Sequence, residues 1–386
     1  MSGGFSSWIE IEPVSPVFIG SGEKIEKFET IVEEKEKKMY ILDFQKLLTN
    51  DDFVELFIKR IQDILDRSKK DEAMQEIFQK LNLELSEVSL GTSQVLFRNN
   101  EPVNLQMKRF VRSAGRYYVP GSSIKGAIRT ALIKSDQNLV RHFEDHLKKE
   151  DHLKKRNINI ERKIFGQPNQ SPFRLLEISD SDFIDKEFVK FKLITVRNLL
   201  KTKARIPMIL ELWLDNKDES NKNKDKSNKV RALLQSRVDR LSQMENVIKD
   251  PGKLLETLGD KGKFVETVKN ASEKIIQLEI ERILEIERIK KASNPNEFKS
   301  ILNFYKELLE ENKKMRDGFL LRLGAQTGFF SKTFFTRFLN RKELEFLKST
   351  CKVYRKINAD LFPVSISIYE SPEPKPLGWV RVRFVS

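Results

Sequence analysis

Hydrophobic and polar positions change period several times along the chain, and these changes divide it into β-rich and helical stretches. Trp8 to Val14 alternates and predicts a strand, followed by Ser15-Pro16-Val17-Phe18-Ile19, the glycine turn Gly20-Ser21-Gly22 and a charged arm over 23–29. Thr30 to Val32 and Met39 to Leu42 read as paired strands around the charged turn 33–38. From Asp43 to Leu85 the period becomes helical, with Phe53, Leu56, Phe57, Ile61, Ile64 and Leu65 at three- and four-residue spacing.

The chain returns to β-rich sequence from Val88 to Val119 and reaches Pro120-Gly121. Ser122-Ser123-Ile124-Lys125-Gly126 then opens a helix, with a serine able to cap free backbone N–H groups, and charged helix is expected to about Arg156. Ile164-Phe165-Gly166 follows, then a Pro-bounded loop over 167–172 and the strand-like Leu175 to Ile178, ending at Ser179-Asp180-Ser181-Asp182. Further strands are expected over 188–197 and 206–214, and the polar run 216–229 reads as a loop. Residues 230–316 are helical in pattern, interrupted at Pro251-Gly252, Gly259 to Gly262 and Asn294-Pro295. A glycine-rich apolar stretch over 318–335, a helix from about Thr336 to Lys348 and a final strand from Trp379 to Val385 complete the reading. On that strand Trp379, Arg381 and Arg383 alternate with Val380, Val382 and Phe384, giving one apolar face and one face open to solvent or RNA. Two β-rich cores, each interrupted by helices, make the expected fold class α+β.

Composition narrows the function classes. The 386 residues suffice for two domains or one domain with large insertions. With 39% hydrophobic residues and 27 Phe the chain is globular rather than disordered. Lys and Arg exceed Asp and Glu by 71 to 57, a formal +14 that favours polyanionic partners, nucleic acid or acidic membrane surfaces, without choosing between them. The start has no basic segment leading into an apolar run, and no long uncharged apolar stretch follows, so neither export nor a membrane span is expected and the cytoplasm is the expected location. Cys351 is the one cysteine, which removes an internal disulfide and a cysteine-rich zinc site, and it reads as a buried hydrophobe.

Candidate chemistry concentrates in two places. Between Glu101 and Lys134 seven basic side chains (Lys108, Arg109, Arg112, Arg116, Lys125, Arg129 and Lys134) face the single acid Glu101, around the turn Gly121 to Gly126. Helix-start N–H groups, close-approach glycines and Lys125 with Arg129 suit a bound phosphate, while the plain alternative is a tight turn whose glycines serve geometry alone. It is not a triphosphate-binding P-loop, because Lys125 precedes Gly126 and Ala127 follows. A second cluster over 319–342 holds Arg322, Lys332, Arg337, Arg341 and Lys342, with Gly324 and Gly328 around Gln326-Thr327. Phe329, Phe330, Phe334 and Phe335 could stack on bases but read better as core. His142 and His146 lie four apart on a charged helix and read as exposed rather than as metal ligands; Asp180, Asp182 and Asp185 could hold Mg²⁺ or form an ordinary loop. No cofactor or resident metal is expected.

Tyr118-Val119-Pro120-Gly121-Ser122-Ser123-Ile124-Lys125-Gly126-Ala127-Ile128-Arg129-Thr130-Ala131 resembles the signature turn and helix of the RAMP proteins of type III-A CRISPR effector complexes, in particular the family of the fifth Csm subunit. Three more segments resemble the same family in the same order. They are Ser15 to Glu23, then Ile164-Phe165-Gly166 ahead of Ile178-Ser179-Asp180-Ser181, and Leu323 to Thr333. The helical stretches between them carry no matching motif.

The resemblance implies two ferredoxin-like (RRM-like) RAMP modules, 1–177 with a helical insertion about 43–86 and 178–386 with one about 216–317. It also implies a job: a non-catalytic subunit that binds crRNA, caps the 3′ side of the guide on a stack of backbone Csm subunits and helps its maturation with host nucleases. Because guides differ in sequence, contact should favour charge, shape and stacking. The RNA-binding residues so implied are Gly20, Gly22, Lys108, Arg109, Arg112, Arg116, Gly121, Ser122, Ser123, Lys125, Gly126, Arg129, Gly324, Gln326, Gly328 and Lys332. The competing reading is a RAMP endoribonuclease using His142, His146 or His152 in acid–base chemistry.

Overall fold

The alternation at the start of the chain becomes the strand Phe5–Pro13, with Ile9 and Ile11 fully buried and Glu10 and Glu12 on the opposite face. It lies in the middle of a five-stranded antiparallel sheet in the order Leu176–Ile178, Val230–Ser236, Phe5–Pro13, Trp379–Val385, Gly318–Arg322. Ile9 faces Ala232 on one side and Phe384 on the other, so the apolar face is continuous across the sheet. This computed structural model describes residues 3–385 apart from 34, 67–68, 99–100, 104, 150–159, 201–204, 216–227, 244–247, 251–252, 291–297, 338–342, 346–361 and 371–372.

Val230–Ser236 corrects the helical reading of 230–316. Val230, Ala232, Leu234 and Ser236 are each at most 2% exposed and alternate with more open neighbours, the period of a strand. The adjacent Leu233 and Leu234 hid that alternation by also satisfying helical spacing. The rest of that stretch is helical, with Leu254–Leu258, Lys261–Lys290 and Lys299–Lys314. The last two pack on one end of the sheet through Ile276, Ile283, Tyr305 and Leu308, which meet Leu320 and Trp379.

That packing also corrects the expectation for the final strand. Trp379–Val385 forms over the expected residues, but Trp379 is fully buried, edge-on to Tyr305 at 6.4 Å between ring centroids. Arg381 is held by Glu12 and Glu311, and of the three side chains expected on the open face only Arg383 is exposed.

A second, six-stranded sheet runs Lys375–Pro376, Ser365–Tyr369, Val189–Asn198, Arg205–Trp213, Gln106–Phe110, Gly20–Lys24, with one parallel pairing between Arg205–Trp213 and Gln106–Phe110. A small sheet of Thr30–Glu33, Lys38–Leu42 and Ser89–Gln94 covers part of it through Val32, Met39 and Ile41 against Phe191 and Ile209. The helices Phe44–Leu47, Asp51–Lys59, Ile61–Leu65 and Lys70–Lys80 bury Phe53, Met74 and Phe78 against the other face of that small sheet. Asp43 and Asn50 start two of these helices by accepting from the N–H groups of Lys46 and Phe53.

The architecture is α+β. Strand membership does not follow a boundary at residue 177, because both large sheets take strands from 1–177 and from 178–386. Among the described residues no helix is long and apolar enough to cross a membrane. Most of the expected polar loop over 216–229, Cys351 and most of the helix expected over 336–348 lie outside the described residues.

Candidate nucleic-acid interface

The four sequence segments that carry the resemblance meet in space. The signature helix spans Gly121–Ser135, with Pro120 at its N-cap position and no serine side chain capping it. The cap comes instead from the third segment: Asp180 accepts from the Gly121 N–H at 2.8 Å, and Ser181 accepts from the Val119 N–H at 2.9 Å. Asp180 thereby acts on the helix N-terminus, where a carboxylate is favoured. A Cβ on Gly121 would lie 2.2 Å from the Ile178 carbonyl oxygen, so only glycine lets the turn sit this close to that strand.

The last segment docks on the first. The Ala325 N–H donates to the Phe18 carbonyl at 2.7 Å, and Gly324, at φ +86°, has no room for a Cβ, which would fall 2.1 Å from the same oxygen. At the far end of the signature helix the buried Lys134 Nζ donates to the Phe330 carbonyl. Burial pushes this ammonium down to about 7, partly opposed by Glu279. The helix therefore joins the two basic clusters seen in the sequence.

The N-terminal half of the same helix lines a cleft of about 650 Å³. Lys125 and Arg129, four apart on one face, form one wall; Glu161, Arg162, Pro168, Phe173 and Arg174 form much of the other. Four cations thus surround one carboxylate. Glu161 ion-pairs with Arg129, whose guanidinium also lies 5.4 Å over the Phe173 ring. Desolvation lowers the pKa of both Lys125 and Arg129 from their ordinary values; for Lys125 the Glu177 carboxylate opposes this and Arg129 adds to it. Gly126 lies exposed inside the helix, and among the described residues no atom lies within 4 Å of where a Cβ would be, so nothing there requires glycine.

Other sequence-predicted residues divide between surface and interior. Ser122 is exposed beside the cleft helix, and Ser123 is half-buried. Gly20 and Gly22 lie on the exposed edge strand Gly20–Lys24, whose Lys24 faces the half-buried Lys108. Arg116 is exposed and stacks 3.6 Å over the Phe183 ring; Arg112 is half-buried near Glu211, which accepts from Tyr117 Oη at 2.5 Å and whose pKa burial raises. Arg109 is the clear departure: it is 5% exposed and ion-paired to Glu29 at 2.6 Å, a part of the interior rather than a surface cation. Gly328 and Lys332 are exposed, Gln326 accepts from Ser367 Oγ at 3.0 Å, and Gly324 serves packing.

The second cluster is more structural than its composition suggests. Arg322 is buried and pairs with Glu279 at 2.9 Å, and Arg337 bonds Glu144 and Glu343. Phe330 is fully buried, Phe334 lies tilted against Phe143 at 4.1 Å between ring centroids, and Phe329 packs on Phe335 and Phe362. Phe330 is core, while Phe329, Phe334 and Phe335 are half-buried and pack against core clusters, so none stands free on the surface as a stacking platform. Arg341, Lys342 and His152 lie outside the described residues, and His142 is exposed. Among the described residues no group of three or more His, Cys, Asp or Glu could hold a metal. Sequence reasoning missed Glu161, Arg162 and Arg174, although the basic residues flanking Ile164-Phe165-Gly166 were a visible signal.

The family model of the RAMP superfamily matches residues 10–361. The chain belongs to that family. This RAMP protein is 25% identical over 417 aligned residues to the CRISPR system Cms protein Csm5 of Methanocaldococcus jannaschii, covering 99% of this chain and 90% of the relative. Its fold is similar to a chain in a cryo-EM structure of a type III-A Csm-crRNA-target RNA ternary complex, with a TM-score of 0.64, 18% identity, and coverage of 99% of this chain and 100% of the other. It is similar as well to the crystal structure of T. onnurineus Csm5, at a TM-score of 0.60, 18% identity, and coverage of 96% and 99%.

Proposed function

We propose that this RAMP protein is a non-catalytic crRNA-binding subunit of a type III-A CRISPR Csm effector complex, acting in the cytoplasm in antiviral defence. It caps the 3′ side of the guide beside the backbone RAMP subunits and supports guide maturation by host nucleases. The observation that carries this reading is the cleft of Lys125, Arg129, Arg162 and Arg174 beside the exposed Gly126. Cations there meet phosphates, and a helix position open to close approach lets a nucleic-acid backbone pass without a side chain between. Lys108, Arg116 and Lys332 add cations, and Ser122 a hydroxyl, to the proposed RNA-binding surface, and no catalytic residue is part of the assignment.

The strand order supports a ferredoxin-like module in the five-stranded sheet. Phe5–Pro13, the helix Gly121–Ser135, Leu176–Ile178, Val230–Ser236, the helix Lys261–Lys290 and Trp379–Val385 follow one another as βαββαβ. Those four strands sit in the antiparallel order second, third, first, fourth. We assign the six-stranded sheet to the second module, interleaved with the first along the chain rather than following it.

The test is binding of single-stranded guide RNA across a salt series for wild type and Lys125→Ala/Arg129→Ala. Each lost phosphate contact should reduce the slope of log K against log salt by ~0.7, so the double variant should lose about 1.4. An unchanged slope and affinity would remove the cleft from the RNA path.

A further inference from the structure

Among the described residues that line the basic cleft, Glu161 is the one acid. Glu161 comes from the short helix Ile160–Phe165, which begins 25 residues after the signature helix ends, and its carboxylate meets Arg129 at the cleft wall. Arg129 and Glu161 side chains are each 31% exposed, so the pair sits at the mouth of the cleft rather than in the core. A carboxylate and a phosphate oxygen offer the same fork of acceptors to a guanidinium.

We propose that the cleft seats a backbone phosphate of RNA against Lys125 and Arg129, and that Glu161 occupies this seat in the unloaded chain as an internal counter-anion. The inference rests on the RNA-binding reading above and adds a competitor to it. Burial already disfavours charge on Lys125 and Arg129, and two more arginines line the cleft, so an empty seat would leave concentrated positive charge partly desolvated. Glu161 relieves that repulsion without RNA. Arg129 gives up the carboxylate when a phosphate arrives, and the phosphodiester, equal to it in charge but held by a second partner in Lys125 and by further contacts along the strand, displaces it. A stray single anion lacks the multiple contacts along a strand and gains little from the same exchange. The seat therefore discriminates for a polymer over a small anion.

Glu161→Gln keeps the shape and removes the charge. In fluorescence anisotropy with a labelled single-stranded RNA of guide sequence and the full chain, Glu161→Gln should bind about two- to fivefold tighter, the range of a partly exposed ion pair. The same substitution in an Arg129→Ala background should give no gain, because the competition is for Arg129. A gain that persists undiminished in that background would be a general net-charge effect and would overturn the proposal, as would no gain in the wild-type background. Inorganic phosphate as competitor should release RNA at lower concentration from Glu161→Gln than expected from its tighter binding, since the seat is no longer guarded; equal resistance sinks the selectivity claim. Arg129→Ala alone separates the two readings: if it leaves RNA binding unchanged, the cleft is off the RNA path altogether, whereas a loss there without any effect of Glu161→Gln leaves the interface standing and removes only the counter-anion.

Discussion

Gly121 and Gly126 lie five residues apart in one helix and should answer alanine with opposite signs. At Gly121 a Cβ would lie 2.2 Å from the Ile178 carbonyl oxygen and 2.6 Å from that of Ser179, and backbone atoms of a paired strand cannot move aside cheaply. Overpacking of this kind costs about 1–3 kcal/mol, and a shift of the turn also loosens the Gly121 N–H bond to the Asp180 carboxylate, a further ~1.5–3 kcal/mol. A total of about 2.5–6 kcal/mol follows. At Gly126 the added methyl meets nothing within 4 Å, and replacing glycine in a helix interior gains about 0.5–1 kcal/mol. With an unfolding entropy of ~2.1 cal/mol/K per residue, Gly121→Ala should lower Tm by roughly 3–7 °C and Gly126→Ala should raise it by about 1 °C. Differential scanning calorimetry reads the first pair of numbers, and RNA anisotropy supplies the second. Gly126→Ala, though more stable, should bind guide RNA more weakly because the methyl intrudes where the strand passes. A Gly126→Ala protein with raised Tm and unchanged RNA affinity would refute the close approach, and a Gly121→Ala protein with wild-type Tm would refute the packing argument.

Lys134 gives a pH dependence with a definite sign. Its folded pKa of about 7 lies below the ordinary 10.5, so between these values the unfolded chain holds a proton that the folded chain does not, and stability rises with pH across that window. Lys134→Met should flatten this rise in a Tm series from pH 6 to pH 10; an identical profile in the variant would place the charge elsewhere. Arg109→Met should cost about 3–5 kcal/mol in urea unfolding by stranding Glu29, with most of the loss recovered in Arg109→Met/Glu29→Met. The double variant should keep the wild-type RNA salt slope, and a reduced slope would return Arg109 to the interface.

The parts of the fold that were readable from sequence were those with one dominant period. The first and last strands, the hairpin of Thr30–Glu33 with Lys38–Leu42 and the helices over 44–80 all announced themselves through alternation or amphipathic spacing. Val230–Ser236 did not, because two adjacent leucines satisfied both periods and a polar run preceded it. Trp379 could not be placed either: a strand pattern shows which residues share a face, and only the docking of Lys299–Lys314 decides that this face is covered. For the candidate interface, Lys125, Gly126 and Arg129 were visible as a motif, whereas the burial of Arg109 depends on Glu29, eighty residues earlier. Glu161 and Arg174 belong to the cleft only through the return of the chain at Ile164 to Leu176, which spacing alone does not encode.

The pairing of Phe5–Pro13 with Trp379–Val385 also governs how the molecule is made. Ile9 and Phe384, opposite each other in the sheet, are separated by roughly 370 residues of chain. At ~5–20 residues per second, the ribosome needs on the order of 20–80 s to deliver the partner of a strand that emerged first. Val230–Ser236 is available to one edge of Phe5–Pro13 before then, but the other edge stays open and other chains could pair with it. Completion of the sheet therefore waits for Trp379–Val385, so a chain interrupted before that strand lacks one partner of Phe5–Pro13.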